Sequence, residues 1–296
     1  MLINNEFNEE KIQSPYQYTW SIFKKNTLAF SAMWGAFILL FIALFASFLI
    51  SESHSQEIKQ LLLPPYWAEG GTSMNILGTD QLGRSSLSRL LQGIQLTLGG
   101  ALLITFSVAI LGTIIGASAA LIKGIKASIL HHLLDAFLTI PTLLSAFILI
   151  VLFGASYENC LIAVSLSLLP QFIRGIYLSI GSELGKQYII SLRLDGATNT
   201  RLLRFGIFPN IMEPIITLLN RIFTMAILEI STLGFLGFGS QHLDAELGAL
   251  IASGIKLIYL SPWLVIFPGV AIFAIILIFN LFAEGLRHAI IEVEDD

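Results

Sequence analysis

"YIISLRLDGATNTRLLRFGIFPN", residues 188–210, is a polar interlude in an otherwise oily chain, and the fold turns on what it does there. It carries Arg193, Arg201 and Arg204 beside Asp195, with Gly196 in its middle and Pro209 at its end. Tyr188 to Leu194 predicts a short helix, and Gly196 frees the backbone to turn. Thr198 or Asn199 then starts a second short helix through Arg204. Pro209 opens the next apolar helix, where a missing N–H costs little. If the turn keeps helical phase, Arg193, Ala197, Arg201 and Arg204 fall near one side. A loop touching anionic lipid accounts for the arginines but not for the glycine-and-proline punctuation. A helix pair carrying Ile189, Ile190, Leu202 and Leu203 asks instead for a groove in another protein.

The segments on either side are long enough to cross a bilayer. Hydrophobic residues make up 55% of the 296, and charged residues only 12%. A soluble domain carries about 25% charged residues, so half that load argues for burial in lipid. Mean hydropathy is +0.80. A net charge of −4 gives no reason to expect nucleic acid as a partner. The single cysteine, Cys160, has no partner for an intramolecular disulfide and reads as apolar filler.

A spanning helix needs about 20 apolar residues. Leu28–Ile50, Leu90–Ile122, Ala136–Tyr157 and Leu257–Ala283 each meet that length without a charge. Asn159–Ile173 does so if it continues past Arg174 to Ile180 with the arginine snorkelling. A fifth segment in chain order, Pro209 to Phe238, is apolar but holds Glu213, Arg221 and Glu229. The expectation is an all-α integral membrane protein with six transmembrane helices.

Six spans place both termini on one side, and short-loop basic residues choose the side. With the N-terminus inside, the inner face holds Lys11, Lys24, Lys25, Lys123, Lys126, Arg174, Lys186, Arg193, Arg201, Arg204 and Arg287. The outer face holds Lys59, Arg84, Arg89 and Lys256. The bias puts residues 188–210 in the cytoplasm. The first apolar run is too long for a signal-peptide core and reads as an uncleaved anchor.

Motifs of covalent chemistry do not occur. There is no G-x-x-x-x-G-K-[ST] to cradle a nucleotide, no H-E-x-x-H and no G-x-S-x-G. His131, His132 and Asp135 offer a loose metal set, although adjacent histidines point to different faces of a helix. An intramembrane hydrolase lacks a paired nucleophile and base. Work across the membrane must draw energy from elsewhere.

A second polar motif, "ILGTDQLGRSSLSRLLQGI" at residues 76–94, precedes the second span. Gly78 turns the chain, Thr79 or Asp80 caps the helix that follows, and Gly83 and Arg84 come next. Asp80 and Arg84, four apart, suit an ion pair. Leu87, Leu90, Leu91 and Ile94 form a stripe for a helix on the membrane surface. Capping and amphipathicity suffice to explain this motif; a gate or docking element at the outer mouth is the sharper alternative.

Arg221 and Glu229 lie eight apart in the fifth span, about 80° apart on a helical wheel. A charge at that depth costs roughly 2.5–3.5 kcal/mol on insertion scales and is turned inward or paired. Lining of a translocation path and a buried interhelical pair both satisfy that demand. Glu213 sits near the cytoplasmic entrance, facing interfacial water or Arg204.

Three stretches resemble the membrane subunits of bacterial ATP-binding-cassette importers, in the branch handling dipeptides, oligopeptides and nickel. "LGTDQLGRSSLSRLLQG" is similar to that branch's Gly-Thr-Asp-x-x-Gly-Arg segment, and "DGATNTRLLRFGIFPN" to its cytoplasmic coupling loop. "ILEISTLGFLGFGSQ", residues 227–241, is similar to the end of its fifth span. The likeness runs over essentially the whole chain and is nearest to the Sap peptide-transport permeases. The chain departs from the family at Ile190, Ser191 and Leu192, where Glu-Ala-Ala is usual, and at Asp195, where leucine is common.

The resemblance implies a permease half of a transporter, without its own nucleotide site. It implies a homologous second permease subunit, two cytoplasmic ATP-binding subunits that use ATP and magnesium, and a periplasmic substrate-binding protein. No cofactor is implied on this chain itself, and its remaining partner is the lipid bilayer. It makes residues 1–27 a cytoplasmic segment, 28–50 the first span and 51–94 a periplasmic loop with an interfacial helix. Residues 95–286 become the core permease domain, with the coupling loop at 181–208, and 287–296 a cytoplasmic tail. Tyr188, Arg193, Asp195, Gly196, Ala197, Arg201, Arg204 and Pro209 would dock on the ATPase. Gly78, Thr79, Asp80, Gly83 and Arg84 would form the outer gate or docking motif. The implied cargo is a peptide, cationic antimicrobial peptides among the candidates, in a bacterial inner membrane. Polyamine export and haem import stay open, as does an ion-driven transporter using Arg221 and Glu229 as a relay.

Overall fold

The body of each uncharged run is helical, because a helix alone satisfies every backbone polar group within one segment in lipid. The last run departs from this at its head, where residues 257–262 form turns and the helix starts at Trp263. The computed structural model describes residues 15–49, 61–122, 125–239 and 246–295. Among them no strand forms beyond an isolated bridge between Thr79 and Ser85. A short helix α1 (Pro15–Lys25) leads into α2 (Thr27–Leu49). Helix α3 (Ser86–Leu121) has 36 residues, about 54 Å of helix. The surface helix expected at 87–94 is therefore the first part of α3, continuous with the span.

Helix α3 packs most closely on α6 (Tyr157–Leu184), and small residues explain how. Gly112 and Gly116 make a G-x-x-x-G step, the spacing that lets membrane helices approach. A Cβ on Gly112 would lie 2.5 Å from Phe172, and one on Gly116 2.9 Å from the Ile173 carbonyl. A Cβ on Gly100 would lie 2.6 Å from the Tyr157 hydroxyl, so α3 and α6 run side by side in the same direction. Cys160 is fully buried in this core, beside Ala163, Val164 and Leu98.

The run read as a third span is broken. Helix α4 (Ile125–Leu138) and α5 (Thr142–Phe153) meet at 88°. Pro141 is the cause: it donates no N–H and pushes Ile140 out of the helical region. With 12 residues, α5 is about 18 Å long, well short of the roughly 30 Å hydrocarbon layer. Among the described residues, five helices have the length and composition to cross a membrane, and six spans result when the bent pair is taken as one.

Helix α7 (Gln187–Leu194) and a single turn α8 (Asn199–Arg201) follow. The helical path then widens to a π turn over Leu202–Ile207, tightens to a 3-10 turn over Phe208–Ile211 and continues as α9 (Met212–Phe235). Pro209 thus does not start the fifth helix; it sits inside a helical run that begins at Asn199. Its ring would clash with the Phe205 carbonyl in a regular helix, and the wide turn relieves that clash. Phe208 N–H accordingly bonds five residues back, to Leu203.

Helices α10 (Leu247–Ile255) and α11 (Trp263–Asp295) complete the bundle. Asn220 on α9 donates to Asn280 on α11 at 2.8 Å. Arg287 near the end of α11 holds Glu213 at 2.6 Å, where the sequence suggests Arg204 or interfacial water. Arg174 reaches Asp135 at 2.7 Å and ties α6 to α4. That ion pair engages the one carboxylate of the suggested metal set. No group of three metal-ligating side chains gathers among the described residues.

Candidate functional site

Residues 185–208 form a hinge whose cap follows from sequence. Gly196 adopts φ +80°, its N–H donates to Arg193 O and the Ala197 N–H to Leu192 O, both at 3.0 Å. These two bonds are the glycine-terminated Schellman end of α7. Thr198 caps α8, its hydroxyl accepting from Arg201 N–H at 3.4 Å.

Beneath the hinge lies a hydrogen-bonded staple. The Tyr188 hydroxyl meets Glu183 Oε2 at 2.5 Å and Gly206 O at 3.2 Å. Asn210 Nδ2 donates to the same hydroxyl at 3.0 Å and to Gly206 O at 2.8 Å. Lys186 pairs with Glu183 Oε1 at 2.6 Å. Burial, and then the hydrogen bond to Glu183, raise the Tyr188 phenol above its ordinary range, so it remains a donor. The end of α6, the start of α7 and the turns before α9 are joined through one side chain. Glu183 and Asn210 carry this function, and neither stood out in the sequence; a carboxylate closing an apolar run five residues before a tyrosine was the signal.

The hinge's apolar residues divide differently from expectation. Ile189 and Leu202 are buried under the staple with Ile207 and Ile211. The outward residues are Ile190, Leu194 at 84% exposure and Phe205 at 70%, with Arg204 over the Phe205 ring. Arg193, Asp195, Arg201 and Pro209 are exposed around them, and Ala197 is half-buried.

At the other end of the bundle, Thr79 and Asp80 organise a turn rather than cap α3, whose N-cap is Ser85. Asp80 Oδ1 accepts from the N–H groups of Leu82 and Arg84, and Oδ2 from Arg84 Nε at 2.8 Å. The four-residue spacing does yield an ion pair, held in a turn instead of on a helix face. Thr79 is fully buried and its hydroxyl accepts from Leu63 N–H at 2.8 Å. Gly78 at φ +78° and Gly83 at φ +74° close the turn. A Cβ on Gly78 would lie 2.3 Å from the Leu63 carbonyl. Gly78→Ala is expected to lower thermal stability by about 1–3 kcal/mol in a melting assay of the detergent-solubilised protein. Residues 240–245 lie outside the described residues, and Gln81 Nε2 bridges from this turn to Ser253 O at 2.8 Å.

Arg221 and Glu229 do not pair with each other. Arg221 is exposed, and its Nε and Nη2 both reach the side-chain oxygen of Gln171 at 3.0 Å when that amide is turned oxygen-first. Glu229 is 3% exposed and accepts from Thr142 on α5.

Comparison with known proteins identifies the family. Residues 110–291 match the model of the "Binding-protein-dependent transport system inner membrane component" family, and residues 14–65 that of the "N-terminal TM domain of oligopeptide transport permease C". The chain is 42% identical to the peptide transport system permease protein SapC of Haemophilus influenzae, covering 97% of this chain and 98% of that one. It is 35% identical to the dipeptide transport system permease protein DppC of Escherichia coli K12, covering 94% and 93%. Inward-facing structures of the MetNI methionine ABC transporter share the fold, with a TM-score of 0.58 at 15% identity over 68% of this chain and 95% of theirs. The chain therefore belongs to the family of binding-protein-dependent transport system inner membrane components, as an all-α multi-pass membrane protein.

Proposed function

We propose that this chain is one permease half of an ATP-driven peptide importer of the bacterial inner membrane, with both termini and residues 185–208 in the cytoplasm. A homologous permease forms the other half, two ATP-binding subunits hold ATP and magnesium, and a periplasmic binding protein delivers cargo. The stapled hinge carries the reading: its surface offers Ile190, Leu194 and Phe205 to a partner while its base is locked to two spans. Closure of the ATPases would push on α7, and the Glu183–Tyr188–Asn210 staple would hand that motion to α6 and α9. Rocking of packed helices alternates access, as in hinge and shear transitions. Arg221, exposed at membrane depth and held by Gln171, fits a lining of the path better than contact with lipid. Glu229, turned inward onto Thr142, supports the α5 wall behind it. Peptide cargo follows the SapC and DppC relatives. Uptake of a cationic antimicrobial peptide compared with a neutral tripeptide decides the charge class.

The test is co-purification with the ATP-binding subunits. Each apolar side chain seated in a groove contributes about 1.5–3 kcal/mol. Leu194→Asp and Phe205→Asp are each expected to weaken capture of the ATPase roughly ten- to a hundredfold, with insertion unchanged. Undiminished capture by both variants would remove the hinge from the docking surface.

A further inference from the structure

The turn motif borders a cavity of about 250 Å³ between the start of α3, α10 and the start of α11. Its lining combines the Asp80–Arg84 ion pair, Ser86 and Trp263 with the apolar Leu90, Leu250 and Phe267. Ser86 is 8% exposed, yet its hydroxyl has no hydrogen-bond partner, and the buried Trp263 Nε1–H has none either. A buried donor without a partner costs about 1–3 kcal/mol, so two in one cavity call for an acceptor. Arg84 spends its Nε on Asp80, leaving the terminal nitrogens of its guanidinium for a second anion. Ser86 is also the first residue of α3, whose N-cap Ser85 makes no side-chain capping bond, so the positive end of a 36-residue helix adds to these donors.

We propose that this cavity is a carboxylate-binding site that takes the C-terminal residue of a short peptide with an apolar last side chain. The carboxylate receives Ser86 Oγ–H, Trp263 Nε1–H and the Arg84 guanidinium, while the side chain packs on Leu90, Leu250 and Phe267. The volume suits one or two residues and not a two-chain lipid. The Gln81–Ser253 bond beside the cavity links the turn to α10. The choice of a peptide as ligand rests on the cargo reading above; the set of donors does not.

Equilibrium binding of radiolabelled trileucine to the purified complex tests it, with the binding protein and ATP left out, in phosphatidylcholine nanodiscs. Saturable binding is expected, at least tenfold weaker for trileucine amide, and several-fold weaker in Ser86→Ala and in Trp263→Phe. Ser86→Ala removes a hydroxyl that makes no bond, so it retains stability and carries the test alone should Trp263→Phe fail to fold. Equal affinity for acid and amide, or binding unmoved by Ser86→Ala, overturns the site. Replacing the lipid with phosphatidylglycerol is expected to leave trileucine affinity unchanged; loss of binding there assigns the cavity to a phospholipid headgroup and overturns the peptide. Because binding is read without ATP, a complex that binds trileucine but takes up none separates failure of the transport reading from failure of the site.

Discussion

Gly196→Pro is expected to reduce ATP-driven peptide uptake in reconstituted vesicles a hundredfold or more, while the chain still inserts and is recovered in the membrane fraction. The residue holds φ +80°, and proline is confined near −65°. Its N–H donates to Arg193 O, a bond that proline cannot make. The two losses together cost about 3 kcal/mol or more, enough to unmake the cap and let α7 point elsewhere. Space is not the obstacle, since a Cβ on Gly196 would meet no heavy atom within 4 Å. That observation supplies the control. Gly196→Asn fits the same left-handed backbone at a small cost and is expected to retain most of the uptake. Equal uptake in the proline and asparagine variants would show that the cap does not transmit the stroke, whatever docks there.

This cap was legible in the sequence because it is local. A glycine between a seven-residue helical stretch and a threonine cap admits few backbone solutions, and the Schellman end is the common one. The apolar runs were legible for a similar reason: lipid leaves the backbone little choice but helix. Direction was not. Ala136–Tyr157 holds no charge to show that its axis turns through 88°, and only Pro141 near its start marks the place. Pro209 suits a helix start and an irregular helical turn equally well, and the π turn over Leu202–Ile207 decides for the second. Partner choice was the least legible property. Glu229 meets Thr142, 87 residues away, and Glu213 meets Arg287, 74 away. Charge patterning names residues that need a partner; the bundle determines which one they find.

Tyr188→Phe is expected to uncouple the transporter: ATP hydrolysis by the assembled complex persists while uptake falls roughly tenfold or more. The hydroxyl stands at the junction of Glu183, Gly206 and Asn210, so one oxygen joins the end of α6 to the approach to α9. A hydrogen bond to a charged group contributes about 1.5–3 kcal/mol, which shifts a two-state arrangement roughly ten- to a hundredfold. The ring itself remains, so its packing against the core cluster around Ile189 is kept and Ile190, Leu194 and Phe205, the residues proposed to dock, still face outward. Capture of the ATPase should therefore survive in Tyr188→Phe, where Leu194→Asp loses it. Asn210→Ala removes the bond to the same hydroxyl and a second one to Gly206 O, and is expected to act in the same direction. Because both changes break one network, the double variant should fall short of the sum of the two, which a double-mutant cycle on uptake measures. Full additivity would mean that the two side chains act separately and that the spans are not joined through Tyr188.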